Sequence, residues 1–504
     1  MFPPANHASI STWTLLLCAA VSLPAAHGAA LQQRGLSPFA ALRSAATLPA
    51  ALAALNSTRR GSARLQRLGA TPSQLAAPQQ LHLALGEQPG SLSITWVTAS
   101  PLPPNCTQAA LFWPAASGSP GSAAEALATS YTYSAGVAGW HGQLHSAVLA
   151  GLQPGVAYSY TVGGDASSGC FPRSEARSAT LPPPRGAPQA YLAVAADMGT
   201  IVPLGWAVAD LMAEDALEGP ARFDAMLLAG DLAYATVEPH SCSAANPGCD
   251  EVEWTWDAFG LQIEPLTEAL PLLTAVGNHE AVPGNITTQA GGLTRASAFA
   301  AYEARYPMPS NGSFWWSSSI GPLALLFLST EHDFAAGSEQ WAWASSVLQG
   351  LDRAATPWVA AVLHRPVYSA AVLEWEDHSP GSKLAVALEP LFEGGGGVDL
   401  VVAGHIHSWE RTHPVRNGTV VALPSNSSGG AVPTYVRPGA PIYLVQGTSG
   451  ALPENVFFDP PPAWSAQRNL GSFGYGRLRA NATALGYEYV GLGGVVLDAF
   501  AISK

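Results

Sequence analysis

The sequence predicts a multidomain protein of mixed α+β and α/β class: an antiparallel β-sandwich, then a larger layered α/β domain. Three observations carry this reading. Charged residues make up only 11% of the 504, while Gly (50) and Pro (42) are abundant, which favours strands and loops over long solvated helices. Between residues 78 and 182, short alternating runs at 81–85, 92–97, 109–113 and 157–162 are separated by Gly and Pro turns, the spacing of a sandwich of about 100 residues. From 187 to 504 the runs become continuously apolar, at 191–196, 225–229, 272–276, 323–328, 358–363 and 400–403. Each ends in a polar elbow, as expected of strands covered on both faces.

Taken in order, residues 1–29 read as a signal peptide. An apolar run at 13–26 is followed by small residues, and it is too short to span a membrane. The usual basic start is missing, since the first Lys or Arg is Arg34. Residues 30–77 form an Ala-rich leader with poor helix caps, and 181–186 make a stiff Pro-rich linker. No later run approaches the roughly 20 apolar residues of a transmembrane helix. The expected destination is outside the cell, in the wall or in the vacuole.

Four cysteines remain after the signal peptide: Cys106, Cys170, Cys242 and Cys249. An even number in an exported chain points to two disulfides. Cys242 and Cys249 close a short loop, and Cys106 and Cys170 flank one β-rich region. That pairing is the economical one of three, and no CxxC pair favours zinc instead. Sequons at Asn56, Asn285, Asn311, Asn417, Asn426 and Asn481 mark a glycosylated surface, with Asn105 doubtful because Cys106 sits inside its sequon. A net charge of −13 with 22 Lys plus Arg argues against nucleic acid as a partner. Small phosphorylated substrates stay open, because bound cations reverse a local field.

Five elbows carry chemistry: Asp197 to Gly199, Gly230 to Tyr234, Gly277 to Glu280, His364 with Arg365, and Gly404 to His407. Each alone reads as an ordinary turn or a capped strand end. Together they supply two carboxylates, a phenol, an amide oxygen and three imidazoles on successive strand ends, where open α/β sheets form their sites. Two adjacent metal ions need such a donor set, with one carboxylate shared between them.

These blocks resemble those of the purple acid phosphatase family of metallophosphoesterases, over nearly the whole chain from Pro78. The stretches 329–334, 338–340, 352–353, 356–358, 364–369, 474–478 and 496–500 are similar to the large plant-type members. The resemblance implies a fibronectin-III-like sandwich ahead of a four-layer α/β/β/α metallophosphoesterase domain. It also implies that Asp197, Tyr234 and His407 hold Fe(III), that Asn278, His364 and His405 hold a divalent ion (Zn, Mn or Fe(II)), and that Asp231 bridges. Phenolate and carboxylates are hard donors suited to Fe(III), while imidazoles and an amide suit the divalent ion. On this reading a metal-activated hydroxide attacks phosphorus in line. His279 then protonates the leaving oxygen or bonds to the transition state; alternatively it only orients Asn278.

The chain also departs from the family. Residues 361–364 replace the usual VxxH with an alanine start, and Trp409 stands where Tyr usually follows GHxH, with Glu410 and Arg411 expected to pair behind it. The two adjacent histidines that contact substrate in the small plant enzymes are missing. Arg365 and His378 are the candidate substrate-binding stand-ins, the ordinary reading of His378 being a solvated loop residue. His332 is an outer residue of the site or a buried, satisfied one. Trp254, Trp256, Trp315 and Trp316 belong to the core before the cleft. The expectation is a secreted acid phosphatase acting on small phosphate monoesters and anhydrides. Its rivals are a nucleotide pyrophosphatase or phosphodiesterase and a vestigial secreted glycoprotein, and seven intact ligands count against the last. Oligomeric state is left open, a homodimer included.

Overall fold

The alternating runs after residue 78 do form strands. The computed structural model describes residues 75–504 except 104, 119–122, 136–139, 141, 165–169, 171–172, 201–202, 219–221, 236–250, 289–291, 374–375, 395–396, 426–431 and 454. The signal peptide, most of the leader, Asn56, Asn426, Cys242 and Cys249 lie outside the described residues.

One sheet of the sandwich has the order Ala124–Leu127, Gln108–Pro114, Ala157–Gly164, Arg177–Thr180. The other runs Gln79–Leu85, Leu92–Thr98, Gln143–Leu149, Thr129–Ala135 and then two strands from far along the chain, Gly284–Thr288 and Thr294–Ser297. Gly284–Thr288 pairs antiparallel with Thr129–Ala135, Ile286 opposite Tyr133. Period-2 burial, clearest in Ala157–Gly164, sends Tyr160 and Val162 inward to meet Leu81, Leu83, Ile94 and Trp96. Cys106 and Cys170 are bridged, as the economical pairing has it, beside Ala76 and Leu102.

The rest of the chain builds two seven-stranded sheets. The first has the order Leu272–Ala275, Ala225–Ala229, Gln189–Ala195, Gly474–Asn481, Ala484–Gly491, Val496–Ser503, Thr434–Val436. The second has Trp316–Ile320, Leu323–Phe327, Trp358–Val362, Leu400–Ala403, Ile442–Gln446, Trp409–Thr412, Ser465–Asn469. Their facing sides share one core, Leu192, Val194 and Leu227 with Leu325, Phe327 and Val402. Leu348, Leu388 and Phe392, from the helices Glu339–Gln349 and Lys383–Glu393, pack on Leu326, Ala361 and Val401 of the second sheet's outer face. Ser338 and Ser382 cap these two helices, each hydroxyl accepting a backbone N–H at 3.2 Å. The helices Pro203–Glu218 and Glu251–Thr267 pack together beside the first sheet. Helix, sheet, sheet, helix is the four-layer order expected.

Within each sheet the motif-bearing strands run parallel. Asp197, Asp231 and Asn278 therefore leave the carboxyl ends of the first sheet, and His364, His405 and His407 those of the second. Trp256 and Trp316 are buried, the latter stacked on Phe327 at 4.0 Å. Trp315 is half-buried against His332.

Candidate metal centre

The elbows are tight because side chains must turn back across the strand ends. Asp197, Asp231, Tyr234 and His405 adopt φ of 53°, 50°, 56° and 70°, a left-handed region that costs a non-glycine residue about 1 kcal/mol or more. Four of seven donors share this strain, so the surrounding fold enforces the site. Two glycines show how. A Cβ on Gly277 would lie 2.3 Å from Asp231 Oδ1, and one on Gly404 would lie 2.2 Å from Asp197 Oδ2. Backbone and carboxylate share the space, and only glycine leaves room.

The donors meet in two groups. Tyr234 Oη donates to Asp197 Oδ1 at 2.8 Å and lies 2.7 Å from His407 Nε2. In the other group His364 Nε2 is 3.0 Å from Asn278 Oδ1 and 3.2 Å from Asp231 Oδ2. Asp231, His364 and His405 each offer one donor atom within 4.8 Å of the others. Asp231 also lies near enough to Asp197 and Tyr234 to act on both electrostatically. The remaining ring nitrogens are anchored: His364 Nδ1 is 3.0 Å from Ala229 O, and His407 Nδ1 is 2.6 Å from Leu452 O.

Electrostatics favour positive charge here. Asp197, Asp231 and Glu280 are all buried. Burial raises the Asp197 carboxyl above its usual range, against the pull of His364 and His407. At Asp231 burial pushes the same way, but His364 and His279 outweigh it and hold the carboxyl below its ordinary range. Burial opposes a charge on His364, yet Asp231 drives its pKa up to about 10. Burial, then Asp197 and Asp231, push the Tyr234 hydroxyl well above its usual range. Cations would reverse these costs, and hard oxygens grouped with imidazoles fit a pair of them. Glu280 is structural support. Burial and Asp231 raise it to about 8, and it accepts N–H from Gly277 and Asp231 at 2.8 Å and from Leu232 at 2.9 Å.

His279 lies at the mouth of this group. Its backbone N–H donates to Asp231 Oδ1 at 2.9 Å, its Nε2 is 3.9 Å from Asp231 Oδ2, and its ring lies on Tyr234 at 4.5 Å. Arg365 comes to the site edge with Nη1 3.1 Å from His405 Nε2, and two carboxylates, Glu331 and Glu376, pair with it. His378 is buried rather than solvated, with Nδ1 2.6 Å from Pro366 O and its ring 6.1 Å from His405. His332 takes an outer place, bonded to Ser329 and stacked on Phe314 at 4.4 Å. Glu410 and Arg411 do not pair. Neighbours on a strand face opposite ways, so Glu410 binds Ser369, Ala370 and Ser408 while Arg411 binds Asp498. Asn105, Asn285, Asn311, Asn417 and Asn481 are exposed. Sequence reasoning missed Glu376, 2.8 Å from His405 Nε2; an acidic residue twelve places after a ligand carries no motif.

Residues 78–181 match the purple acid phosphatase N-terminal domain, 193–409 the calcineurin-like phosphoesterase family, and 440–499 the iron/zinc purple acid phosphatase-like C-terminal family. Purple acid phosphatase 18 of Arabidopsis thaliana is 26% identical over 413 residues, 80% of this chain and 78% of the relative. Acid phosphatase type 7 of Mus musculus is 29% identical over 429 residues, 81% and 86% of the two chains. In fold, the chain is similar to the purple acid phosphatase PPD1 of yellow lupin (Lupinus luteus) seeds. The TM-score is 0.69 at 23% identity, covering 85% of this chain and 74% of that one. Three consecutive domain matches around one set of seven donors place the chain in the purple acid phosphatase family.

Proposed function

We propose that this chain is a secreted acid phosphatase hydrolysing phosphate monoesters and anhydrides at a dinuclear Fe(III)–M(II) centre. The observation that carries it is the convergence of Tyr234 Oη with Asp197 Oδ1 and His407 Nε2, since a phenol oxygen, a carboxylate oxygen and an imidazole nitrogen brought together make a donor set that suits a strongly charged cation. Asp197, Tyr234 and His407 would hold the ferric ion; Asn278, His364 and His405 the divalent one; Asp231 both. When bound, such a pair supplies Lewis acidity that activates water and offsets charge on phosphate oxygens. His279, 30% exposed at its side chain, gives the departing oxygen its proton from the open side of the centre. Export and glycans on the exposed sequons complete the reading. No helix among the described residues is long and apolar enough to cross a membrane.

A second reading, tolerance of diesters, draws support from the Arg365 surroundings. One cation there meets two carboxylates, so a dianionic monoester gains less from this rim than a less charged diester would.

Metal analysis with a substrate panel on purified protein tests both. Iron and one divalent ion per chain are expected, with a broad visible band that Tyr234→Phe bleaches. Full iron occupancy without the band refutes the Tyr234 assignment, and a metal-loaded protein inert to every ester leaves the vestigial glycoprotein. A preference above about a hundredfold (roughly 2.7 kcal/mol) for simple monoesters removes the diester-tolerant version.

A further inference from the structure

Glu376 is not among the seven donors, yet it touches one. Its Oε2 lies 2.8 Å from His405 Nε2 and accepts Arg365 Nη1 at 2.7 Å. Arg365 is fixed on its other side by Glu331, Nε to Oε1 at 2.8 Å and Nη2 to Oε2 at 3.1 Å, so the Glu376 oxygen has a defined seat. Behind it, His378 is buried, its ring tied to Pro366 O through Nδ1. Its Nε2 has no hydrogen-bond partner and points toward Glu376 Oε2 at 3.6 Å.

A metal-binding imidazole gives one nitrogen to the ion and needs a partner for the other. His364 and His407 use backbone carbonyls, those of Ala229 and Leu452. For His405 the partner is a carboxylate. Arg365 Nη1 also approaches His405 Nε2, at 3.1 Å, but has its own shorter bond to Glu376, so the proton on Nε2 belongs on the Glu376 side. We propose that Glu376 is a positioning residue for the divalent half of the centre. By engaging Nε2 it fixes the orientation of the ring and would leave Nδ1 for the ion. Divalent affinity in this chain therefore depends on a side chain outside the donor set. This rests on the reading of His405 as a divalent ligand.

The test uses the full-length protein with Glu376→Ala and Glu376→Gln. Iron and divalent content are measured separately, and divalent affinity is taken by competition with a chelator. Glu376→Ala should keep its iron and its visible band, lose about 10- to 100-fold in divalent affinity, and recover turnover when the divalent ion is raised to saturation. Glu376→Gln keeps an acceptor oxygen and should lose less. Divalent affinity within about twofold of the unaltered protein overturns the proposal. Equal loss of both metals also overturns it, since Glu376 would then be general scaffold. An unaltered protein that binds no metal pair fails the parent reading instead, before any variant is made.

Discussion

Two places in this molecule bury several ionisable side chains together, and they balance charge differently. At the seam between the sandwich and the catalytic layers, Arg305 donates from Nε to Tyr133 Oη at 2.7 Å, from Nη1 to Gln80 Oε1 at 3.0 Å and from Nη2 to Asp257 Oδ1 at 2.8 Å. Glu253 lies 3.7 Å away and the Trp140 ring 4.4 Å. A planar guanidinium with five donors serves the carboxylates from inside the fold. At the metal centre Asp197, Asp231 and Glu280 are as deeply buried, but their neighbours are imidazoles, an amide and a phenol. The nearby arginine, Arg365, turns to Glu331 and Glu376 instead. Buried carboxylates matched by arginine hold a structure together. Those matched by imidazoles and a phenol face groups that can give up a proton and take a cation from solution in its place.

Removing the shared anion should give the largest effect. Asp231→Ala leaves two cations with less compensation between them, so one or both should be lost and turnover should fall at least about 10³-fold, about 4 kcal/mol in barrier. Metal content and kcat measured on the same preparation decide it. Both metals retained at near-normal turnover would break the comparison at its stronger end.

The seam should behave in the opposite manner. Arg305→Met leaves the Asp257 carboxylate without its cation and Tyr133 and Gln80 without their donor, a loss of about 3–5 kcal/mol in unfolding free energy. Protein that still folds should carry its full complement of metal. Denaturant unfolding alongside metal analysis would show it, and metal loss in folded Arg305→Met would mean the two clusters are not separate.

The two clusters also differ in how far they could be read in advance. Of the candidate donors, Asp231, Asn278 and His405 each follow a glycine just past an apolar strand, and Asp197 and His364 close strands of the same kind, so the local pattern carries the chemistry. The sandwich strands were legible from alternation in the same way. The seam draws on Gln80, Tyr133, Glu253, Asp257 and Arg305, residues brought together only by the fold. The hairpin at Gly284–Thr288 and Thr294–Ser297 is the clearest case. Ile286, Thr287 and Thr288 are ordinary strand residues, but nothing local names Thr129–Ala135 as their partner. Glu376 was hidden for the same reason, and Arg411 was misread because adjacency in sequence is opposition across a strand.

The smallest predicted effect concerns pH. Burial raises Glu253 from 4.5 to about 7, despite the pull of Arg305. In the unfolded chain the same carboxyl loses its proton near 4.5, so between these values the native state holds a proton that the unfolded state has released. The stability from this group is complete below about pH 4.5 and is lost as pH rises through about 7. At about 1.4 kcal/mol per pH unit, the loss between pH 5 and 7.5 comes to about 2–3 kcal/mol. The metal centre moves the other way, since its donors bind ions only when deprotonated and acid weakens them. The difference in unfolding free energy between the native protein and Glu253→Gln, measured at fixed metal loading across that range, isolates the seam. The native protein should lose ground to the variant as pH rises. A difference that stays flat would mean that Glu253 is charged throughout, and that Arg305 balances both carboxylates of its cluster as ions.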